Sequence, residues 1–211
     1  MRVDASVIIC SYTEARWDDL RAAVSSVARQ NATPVEIIVV IDHNAVLLER
    51  AQADLDGVIV LENQEEQGLS GARNTGVKAA HGSLIGFLDD DAVADPDWLE
   101  SLTRACSLPG ALGSGGLVEP AWPTIKPSWL PEEFYWVVGC SYRGLPSTRS
   151  AVRNLMGSSM CIRREVFESI GYFRREVGRV DTHPVGCEET ELCIRAGQRW
   201  PRRMFLYEPA G

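Results

Sequence analysis

Three consecutive carboxylates, Asp89, Asp90 and Asp91, come directly after the apolar run Leu84–Leu88. Ligands of open α/β sheets bind at the carboxyl ends of strands, so these acids stand where a site is expected. Clustered carboxylates repel one another unless a cation joins them, and Mg²⁺ or Mn²⁺ is the natural occupant of such a cluster. The alternative is a solvated turn that leads to Asp95 as a helix cap, because aspartate is common in turns.

Two other interpretations of this acidic cluster fit the spacing less well. A calcium hand would use Asp89, Asp91 and Glu100. However, Ala94 stands where that loop requires glycine, and Val93 replaces an oxygen ligand. A phosphohydrolase with an aspartate nucleophile would have Thr or Ser two residues beyond the second aspartate, where this chain has Val93. The calcium hand is therefore excluded, and the phosphohydrolase is disfavoured.

A second acidic cluster lies in Gly186–Arg195, where a helix is predicted to begin. Glu189 shares one helical face with Leu192, Cys193 and Ala196, so we expect it to point towards the buried side. The helix dipole should hold a carboxylate of the first turn ionised, as a general base requires. The alternative is an ordinary acidic helix N-terminus, where glutamate is favoured without any chemistry.

The third candidate is the glycine-containing stretch Gln67–Gly76. Gly68 and Gly71 precede a predicted helix and would let a ligand approach the backbone, and Arg73 could reach a phosphate. The stretch matches neither the P-loop pattern Gly-x-x-x-x-Gly-Lys-Ser/Thr nor the dinucleotide pattern Gly-x-Gly-x-x-Gly. These mismatches argue against a P-loop NTPase and a Rossmann dehydrogenase.

The elements that must position these residues are apolar runs of strand length, which alternate with helical patterns. Each run is nearly uniformly apolar, which favours strands covered on both faces. The alternation predicts an α/β fold with a mostly parallel central sheet flanked by helices. The predicted strands are Ser6–Cys10, Val35–Ile41, Val58–Leu61, Leu84–Leu88 and Ser158–Ile162. The predicted helices are Leu20–Val27, Leu47–Leu55, Ala72–Ala80, Pro96–Ala105 with Asp95 as N-cap, Arg164–Ile170 and Glu188–Ala196.

Residues 109–131 interrupt this pattern with repeated prolines and glycines. The stretch is predicted to be dominated by loops, but its aromatic side chains are too apolar for a solvated linker. We predict that residues 119–150 form an acceptor surface, the alternative being aromatics that close the core. The aromatics concerned are Trp122, Trp129, Tyr135 and Trp136.

Composition and charge limit the functional classes. The 211-residue chain has 29 acidic and 21 basic residues and a formal charge of -8, so no nucleic-acid partner is expected. Its six cysteines include no Cys-x-x-Cys pair, which favours scattered core thiols over zinc ligands. The sequence shows no signal peptide and no run of ~20 apolar residues. We expect a cytoplasmic protein that can attach to the inner face of a membrane.

Five stretches, taken in order along the chain, resemble the motifs of the family 2 glycosyltransferases, which have the GT-A fold. Their common order covers nearly the whole chain, which is more specific than any single motif. They are Ser6–Thr13 (first strand and nucleotide loop), Val39–Asp42 (second strand), Gly68–Gly76 (the pattern Gly-x-x-x-Ala-Arg-Asn-x-Gly), Phe87–Asp91 (the Asp-x-Asp motif) and Gly186–Leu192 (an acidic pair before Glu-Leu).

The resemblance implies roles for individual residues. Tyr12 and Asp42 would hold the nucleobase, and Asp89 would contact the ribose or the metal. Asp91 would be the main metal ligand, and Glu189 would be the catalytic base, although glutamate there replaces the more usual aspartate. The residues expected to bind the donor nucleotide are Ser11, Tyr12, Glu14, Asp42, Arg73, Asp89 and Asp90.

Two further stretches, Leu130–Gly139 and Val152–Ser158, resemble a narrower group of archaeal and actinobacterial enzymes that act on polyprenyl- or dolichyl-phosphate-linked sugars. This resemblance implies a glycan or a lipid-linked glycan as the acceptor. Residues 1–211 would form a single GT-A domain. Its nucleotide-sugar half would span residues 1–118, and its acceptor and catalytic-base half would span residues 119–211.

The last residues, Met204–Gly211, resemble the family's strand before a segment that often supplies a metal-binding histidine. We expect that segment to be missing. His43 and His81 match no ligand position, and His183 is near Glu189 without a supporting motif. The protein should therefore give the metal at most one or two carboxylate ligands, with diphosphate and water completing the coordination shell.

The resemblance implies an enzyme that moves a sugar from a nucleoside diphosphate sugar, with UDP favoured, onto an acceptor hydroxyl with inversion. Mg²⁺ or Mn²⁺ on Asp91 would neutralise the leaving diphosphate while Glu189 accepts the acceptor's proton. One alternative is a non-catalytic module that binds sugar nucleotides or glycans, against which the intact acids argue. The other is a nucleotidyltransferase, which would need a glycine-rich basic loop where this chain has Ser11–Ala15.

Overall fold

The computed structural model describes residues 1–122, 124–177 and 186–210. Within these ranges the strands are β1 (Ala5–Ser11), β2 (Glu36–Ile41), β3 (Ile59–Glu62), β4 (Leu84–Asp89), β5 (Ala111–Gly116), β6 (Ser150–Val152), β7 (Ser159–Arg163) and β8 (Met204–Glu208). All of these strands join one sheet in the order β3-β2-β1-β4-β7-β5-β8-β6.

Strand direction divides the sheet into two parts. The neighbours β3, β2, β1 and β4 are all parallel, so their carboxyl ends meet at one edge. Strand β7 runs antiparallel between β4 and β5, while β8 is parallel to β5 and β6 is antiparallel at the far edge. The prediction of a mostly parallel sheet is confirmed.

Helices cover both faces of this sheet. The N-terminus of the second helix is capped locally, because the Asn44 side chain accepts a hydrogen bond from the backbone N–H of Leu47 at 3.0 Å. The α-helices of the described residues are α1 (Trp17–Ala28), α2 (Ala45–Asp54), α3 (Leu69–Ala79), α4 (Trp98–Cys106), α5 (Arg164–Ile170) and α6 (Glu188–Arg199). Short 3-10 helices cover Glu14–Arg16 and Glu132–Val138.

The core lies on both sides of the sheet. Along β1, Val7 and Ile9 join an apolar cluster with residues of α1, α2 and α4. The intervening Ile8 joins a second cluster, with residues of α3, α5 and α6. Because successive strand side chains point to opposite faces, the sheet is the middle layer of a three-layer α/β structure.

The start of α4 differs from the predicted one. The predicted helix begins at Pro96 with Asp95 as its N-cap, but the observed helix begins at Trp98, and the Asp97 side chain at the cap position makes no capping hydrogen bond to the helix backbone. The backbone carbonyl of Asp95 accepts hydrogen bonds from Gln30 Nε2 at 2.6 Å and from the Trp98 N–H at 3.0 Å. These contacts hold the residues before α4 against the end of α1, so the helix begins two residues later than predicted.

Two strands also depart from the prediction. The apolar run Val58–Leu61 predicts a strand that is covered on both faces. The corresponding strand, β3, lies at the edge of the sheet, and its Ile59 is 41% exposed. The glycines of β5 look like chain breakers in the sequence, yet β5 is wholly buried. A Cβ atom on Gly113 would approach the Cys161 carbonyl oxygen to 2.7 Å, so glycine there permits close packing of β5 against β7.

The last glycine of the Ala-Arg-Asn stretch should be needed for packing. A Cβ atom on Gly76 of α3 would meet Ile8 Cγ2 at 2.6 Å, whereas one on Gly197 of α6 would meet nothing within 4 Å. Both changes to alanine gain about 1 kcal/mol of helix propensity. Only Gly76→Ala should also incur overpacking of about 1–3 kcal/mol.

Urea unfolding of both variants measures this difference. We expect Gly197→Ala to raise the free energy of unfolding, and Gly76→Ala to lie about 1–3 kcal/mol below it. Equal stabilisation by the two substitutions would show that α3 does not pack this tightly on β1.

Candidate active site

A pocket opens at the carboxyl ends of β1, β2 and β4, where the parallel part of the sheet ends. It encloses about 680 Å³, including open solvent at its mouth. Its lining residues are Cys10, Ser11, Tyr12, Arg16, Asp42, Gln67, Gly68, Leu69, Ala72, Asp89 and Asp90.

Asp42, at the end of β2, organises one side of this pocket. Its carboxylate is buried and accepts hydrogen bonds from Asn63 Nδ2 at 2.6 Å and from the Gly68 N–H at 2.8 Å. His43 Nδ1 lies 2.8 Å from the same carboxylate. In contrast to the buried Asp42, the Tyr12 side chain is about half exposed. The pocket thus combines a fixed acceptor with an accessible aromatic ring.

The glycine stretch before α3 is shaped by backbone constraints. Gly68 has φ +132°, a conformation that other residues rarely adopt, and its N–H donates to Asp42. A Cβ atom on Gly71 would lie 2.2 Å from the Glu66 carbonyl oxygen. Both glycines are therefore required for the chain to bring the N-terminus of α3, at Leu69, to the pocket wall.

The three consecutive aspartates have three different environments. Asp90 is buried and accepts hydrogen bonds from Ser11 Oγ at 2.6 Å and Arg16 Nη1 at 3.0 Å. Asp91 is about half exposed, and its Oδ2 lies 3.2 Å from the same Arg16 nitrogen. Asp89 is partly exposed and pairs with Arg73. Burial raises the pKa of Asp90 and also that of Asp89, where the charge of Asp91 adds to the effect.

Arg73 is a buried cation behind the pocket. Its Nη1 pairs with Glu188 Oε1, and its Nη2 contacts Asp89 Oδ1 at 3.2 Å and the Gly157 carbonyl oxygen at 2.9 Å. The guanidinium carbon also lies 5.8 Å from the Phe87 ring centroid. These contacts join α3, the end of β4, the start of α6 and the turn before β7 around one charge.

The acidic pair at the start of α6 is divided by burial. Glu188 is buried against Arg73, whereas Glu189 is partly exposed and accepts a hydrogen bond from Thr190 Oγ1 at 3.0 Å. Burial raises the pKa of Glu189, and the negative charge of Glu188 raises it further. The helix dipole favours the ionised carboxylate, but desolvation and the neighbouring carboxylate act against it and set the direction of the pKa shift.

The structure brings most of the predicted nucleotide residues together. Ser11, Tyr12, Asp42, Asp89 and Asp90 line the pocket. Arg73 reaches the site only through Asp89, and Glu14 is exposed and outside the lining.

Sequence reasoning assigned no site role to Arg16 and placed the base at Glu189 without identifying the structural role of Glu188. The position of Arg16, five residues beyond the end of β1, is the signal that could have suggested it. Among the described residues, no group of three or more His, Cys, Asp and Glu side chains is placed to hold a metal ion. His183 lies outside the described residues.

Comparison with known proteins identifies the family. A model of Glycosyl transferase family 2 matches residues 6–171. The chain belongs to this family. The glucosyl-dolichyl phosphate glucuronosyltransferase of Haloferax volcanii is 35% identical to this family member in an alignment 209 residues long that covers 97% of this chain and 67% of that relative. The predicted family is confirmed, and so is the prediction that the chain is a glycosyltransferase.

Solved structures confirm the GT-A fold of this family 2 member. A mannosyltransferase from Pyrobaculum calidifontis, solved with GDP-Man and Mn²⁺, gives a TM-score of 0.70 at 18% identity over 99% of this chain and 55% of its own. GalNAc-T7, solved with UDP, GalNAc and Mn²⁺, gives a TM-score of 0.69 at 19% identity over 97% of this chain and 42% of its own. The chain thus spans about half the length of these two proteins. None of the helices in the described residues is long and apolar enough to cross a membrane.

The burial of Arg73 leads to a prediction about stability. Glu188→Gln leaves the cation short of one of its two carboxylates, and breaking a buried pair costs about 3–5 kcal/mol. Glu191→Gln removes the same charge from the same helical turn, but its partners are the more accessible Arg174 and Arg195, so we expect a cost of about 1 kcal/mol or less.

Chemical denaturation of the two variants measures this contrast. A loss for Glu188→Gln no larger than that for Glu191→Gln would show that Asp89 and the Gly157 carbonyl are sufficient partners for Arg73.

Proposed function

We propose that the chain transfers a sugar from a nucleoside diphosphate sugar, with UDP as the nucleotide, to a hydroxyl group of a lipid-linked glycan. The pocket at the ends of β1, β2 and β4 is the observation that carries this proposal, because an exposed tyrosine, the start of α3 and three aspartates converge there. The Haloferax volcanii relative is named for action on glucosyl-dolichyl phosphate, which supports a lipid-linked acceptor.

The pocket offers distinct places for the parts of a donor. The exposed Tyr12 ring can stack on a nucleobase, and Asp42 can accept from the base or the ribose while its other bonds hold it still. The N-terminus of α3, which begins at Leu69, can present its backbone N–H groups and the positive end of the helix dipole to the diphosphate. Ser11 donates to Asp90, and Asp90 accepts from Arg16, so Ser11 and Asp90 hold the pocket wall in place rather than contact the donor.

Asp89 and Asp91 fit a divalent cation as a pair. Each has one oxygen engaged by an arginine, Asp89 Oδ1 by Arg73 and Asp91 Oδ2 by Arg16, which leaves its second oxygen for a metal. Two carboxylate oxygens suit Mg²⁺ or Mn²⁺, which keep water and phosphate oxygens in the remaining positions. The bound cation supplies Lewis-acid stabilisation of the charge that develops on the leaving diphosphate.

Glu189 is the proposed base. Glu188 is committed to Arg73, whereas Glu189 is accessible and its raised pKa brings it closer to the working pH. Glu189 takes the proton of the acceptor hydroxyl as that oxygen bonds to the anomeric carbon, and the bond from this carbon to the diphosphate breaks with its electron pair on the diphosphate. A single displacement of this kind inverts the anomeric configuration.

The acceptor is proposed to bind a surface near the start of α6. We define the aromatic surface as the exposed side chains of Trp129, Phe134, Trp136, Val137 and Val138, none of which is buried. Its end is tied to the site, since Ser158 Oγ donates to the Gly139 carbonyl at 3.2 Å and the adjacent Gly157 carbonyl accepts from Arg73. Flat apolar side chains of this kind suit sugar rings and prenyl chains.

The role of Glu189 can be tested by substitution. Glu189→Gln preserves size and the hydrogen bond from Thr190 but removes the proton acceptor, so we expect unchanged donor binding and a loss of transfer of about 10²- to 10⁴-fold. Because the pKa of Glu189 is raised, the wild-type rate should fall as pH decreases through a value above 4.5, and the variant should lose this limb.

Rates and donor affinities should be measured for Glu189→Gln beside Glu191→Gln, which removes a charge from the same turn. Normal turnover by Glu189→Gln would move the base elsewhere. Donor binding without any transfer by the wild-type chain would instead favour the non-catalytic binding module.

The acceptor proposal predicts a selective change in Michaelis constant. Trp136→Ala removes a large exposed ring from the aromatic surface, and we expect the KM for a prenyl-phosphate-linked saccharide to rise about tenfold, the equivalent of 1.4 kcal/mol. The donor KM should not change. Val46→Ala, at an exposed position of α2, is the control. An unchanged acceptor KM in both Trp129→Ala and Trp136→Ala would assign these rings another role.

A further inference from the structure

Arg16 occupies a position that the proposed chemistry has not yet used. It ends the short 3-10 helix after β1 and lines the pocket. Its Nη1 is shared between two acids, lying 3.0 Å from Asp90 Oδ1 and 3.2 Å from Asp91 Oδ2. Its guanidinium carbon also lies 6.0 Å from the Tyr12 ring centroid. Arg16 therefore lies between Tyr12, where the nucleobase is proposed to bind, and Asp91, where the metal is proposed to bind.

The charges around the pocket make Arg16 important for an anionic ligand. Asp42, Asp89 and Asp90 line the pocket, and Arg16 is the cation in that lining. Arg73 is buried and already pairs with Glu188 and Asp89. A bare diphosphate entering this site would meet more negative than positive charge, so its binding depends on each available cation.

The two acids that hold Arg16 differ in how firmly they do so. Asp90 is 4% exposed and its other oxygen accepts from Ser11, which makes it a fixed anchor. Asp91 is half exposed, and a divalent cation can compete for it. Within the described part of the chain, no acceptor bonds Arg16 Nε or Nη2. Arg16 can thus release Asp91, stay on Asp90 and still offer free donors to the pocket.

We propose that Arg16 is an exchangeable cation that pairs with Asp91 in the nucleotide-free chain and binds the donor's diphosphate when a divalent cation takes Asp91. A guanidinium suits this exchange, since it can keep one carboxylate on one nitrogen while its others donate to phosphate oxygens. The inference rests on the proposed function for the metal role of Asp91. It adds a residue that makes metal binding and nucleotide binding depend on each other.

The exchange has a thermodynamic consequence. Metal alone must displace Arg16 from Asp91, and nucleotide alone finds Arg16 partly neutralised, so each ligand should bind weakly without the other. When both are present, each removes the other's competitor. Coupling of this kind is reciprocal and typically changes each affinity by about 5- to 150-fold.

Isothermal titration calorimetry of the full chain tests the inference with Mn²⁺ alone, UDP in EDTA, and UDP with Mn²⁺. For the wild type we expect UDP to bind at least about fivefold more tightly with Mn²⁺ than in EDTA. Arg16→Met should bind Mn²⁺ alone more tightly, because the competing cation is gone, and UDP with Mn²⁺ more weakly. Arg21→Met, at an exposed position of α1 where the side chain makes an ion pair with Asp18 at 3.8 Å, should behave as wild type.

Each result bears on the proposal separately. Weaker or unchanged Mn²⁺ binding by Arg16→Met, or coupling as large as in the wild type, would overturn the exchange and leave the proposed function standing. A wild-type chain that binds UDP under neither condition would overturn both the exchange and the proposed function.

If Arg16→Met does not fold, the same titrations can be made with Arg16→Lys. We expect this variant to retain weak binding of Mn²⁺ alone but to lose several-fold in UDP affinity with Mn²⁺, because an ammonium group cannot span Asp90 and the diphosphate. Wild-type affinities in Arg16→Lys would overturn the exchange.

Discussion

A buried positive charge is stable only where anions and acceptors surround it, and this constraint at Arg73 organises the site. The guanidinium requires Asp89 at the end of β4, Glu188 at the start of α6 and the Gly157 carbonyl to converge on one point. The same requirement removes Glu188 from the chemistry. Within the described residues, Asp91 and Glu189, the proposed metal ligand and base, make no ion pair with this buried charge.

Neighbouring acids have different roles because successive residues at a strand end face different surroundings. Asp90 turns into the protein towards Ser11, while Asp89 and Asp91 remain partly accessible. The outer pair is thus available to a metal, and the middle residue holds Arg16. A motif defined only by its outer acids would miss this contribution, which keeps a cation beside the pocket.

The sequence predicted the structure best where a local residue pattern is compatible with only one type of element. Uniformly apolar runs predicted β1, β2 and β4, and their carboxyl ends correctly indicated the location of the pocket. Long-range pairing was not predictable in the same way. Helical periodicity placed Glu189 on the buried face, but Glu188 is the more buried of the two glutamates because it pairs with Arg73, which is 115 residues away in sequence. Strand β5 was missed because its glycines permit close contact with β7, whereas local patterns associate glycine with turns.

The packing of Gly157 against Arg73 also limits how this sequence can diverge. A Cβ atom at position 157 would lie 3.1 Å from Arg73 Nη2, in a place where the guanidinium is enclosed by Phe87 and Phe173 and has little room to move. An alanine at 157 would force the guanidinium to shift by a few tenths of an ångström beside Asp89. Glycine at 157 should therefore be favoured in homologues that keep an arginine at 73 to hold the end of β4.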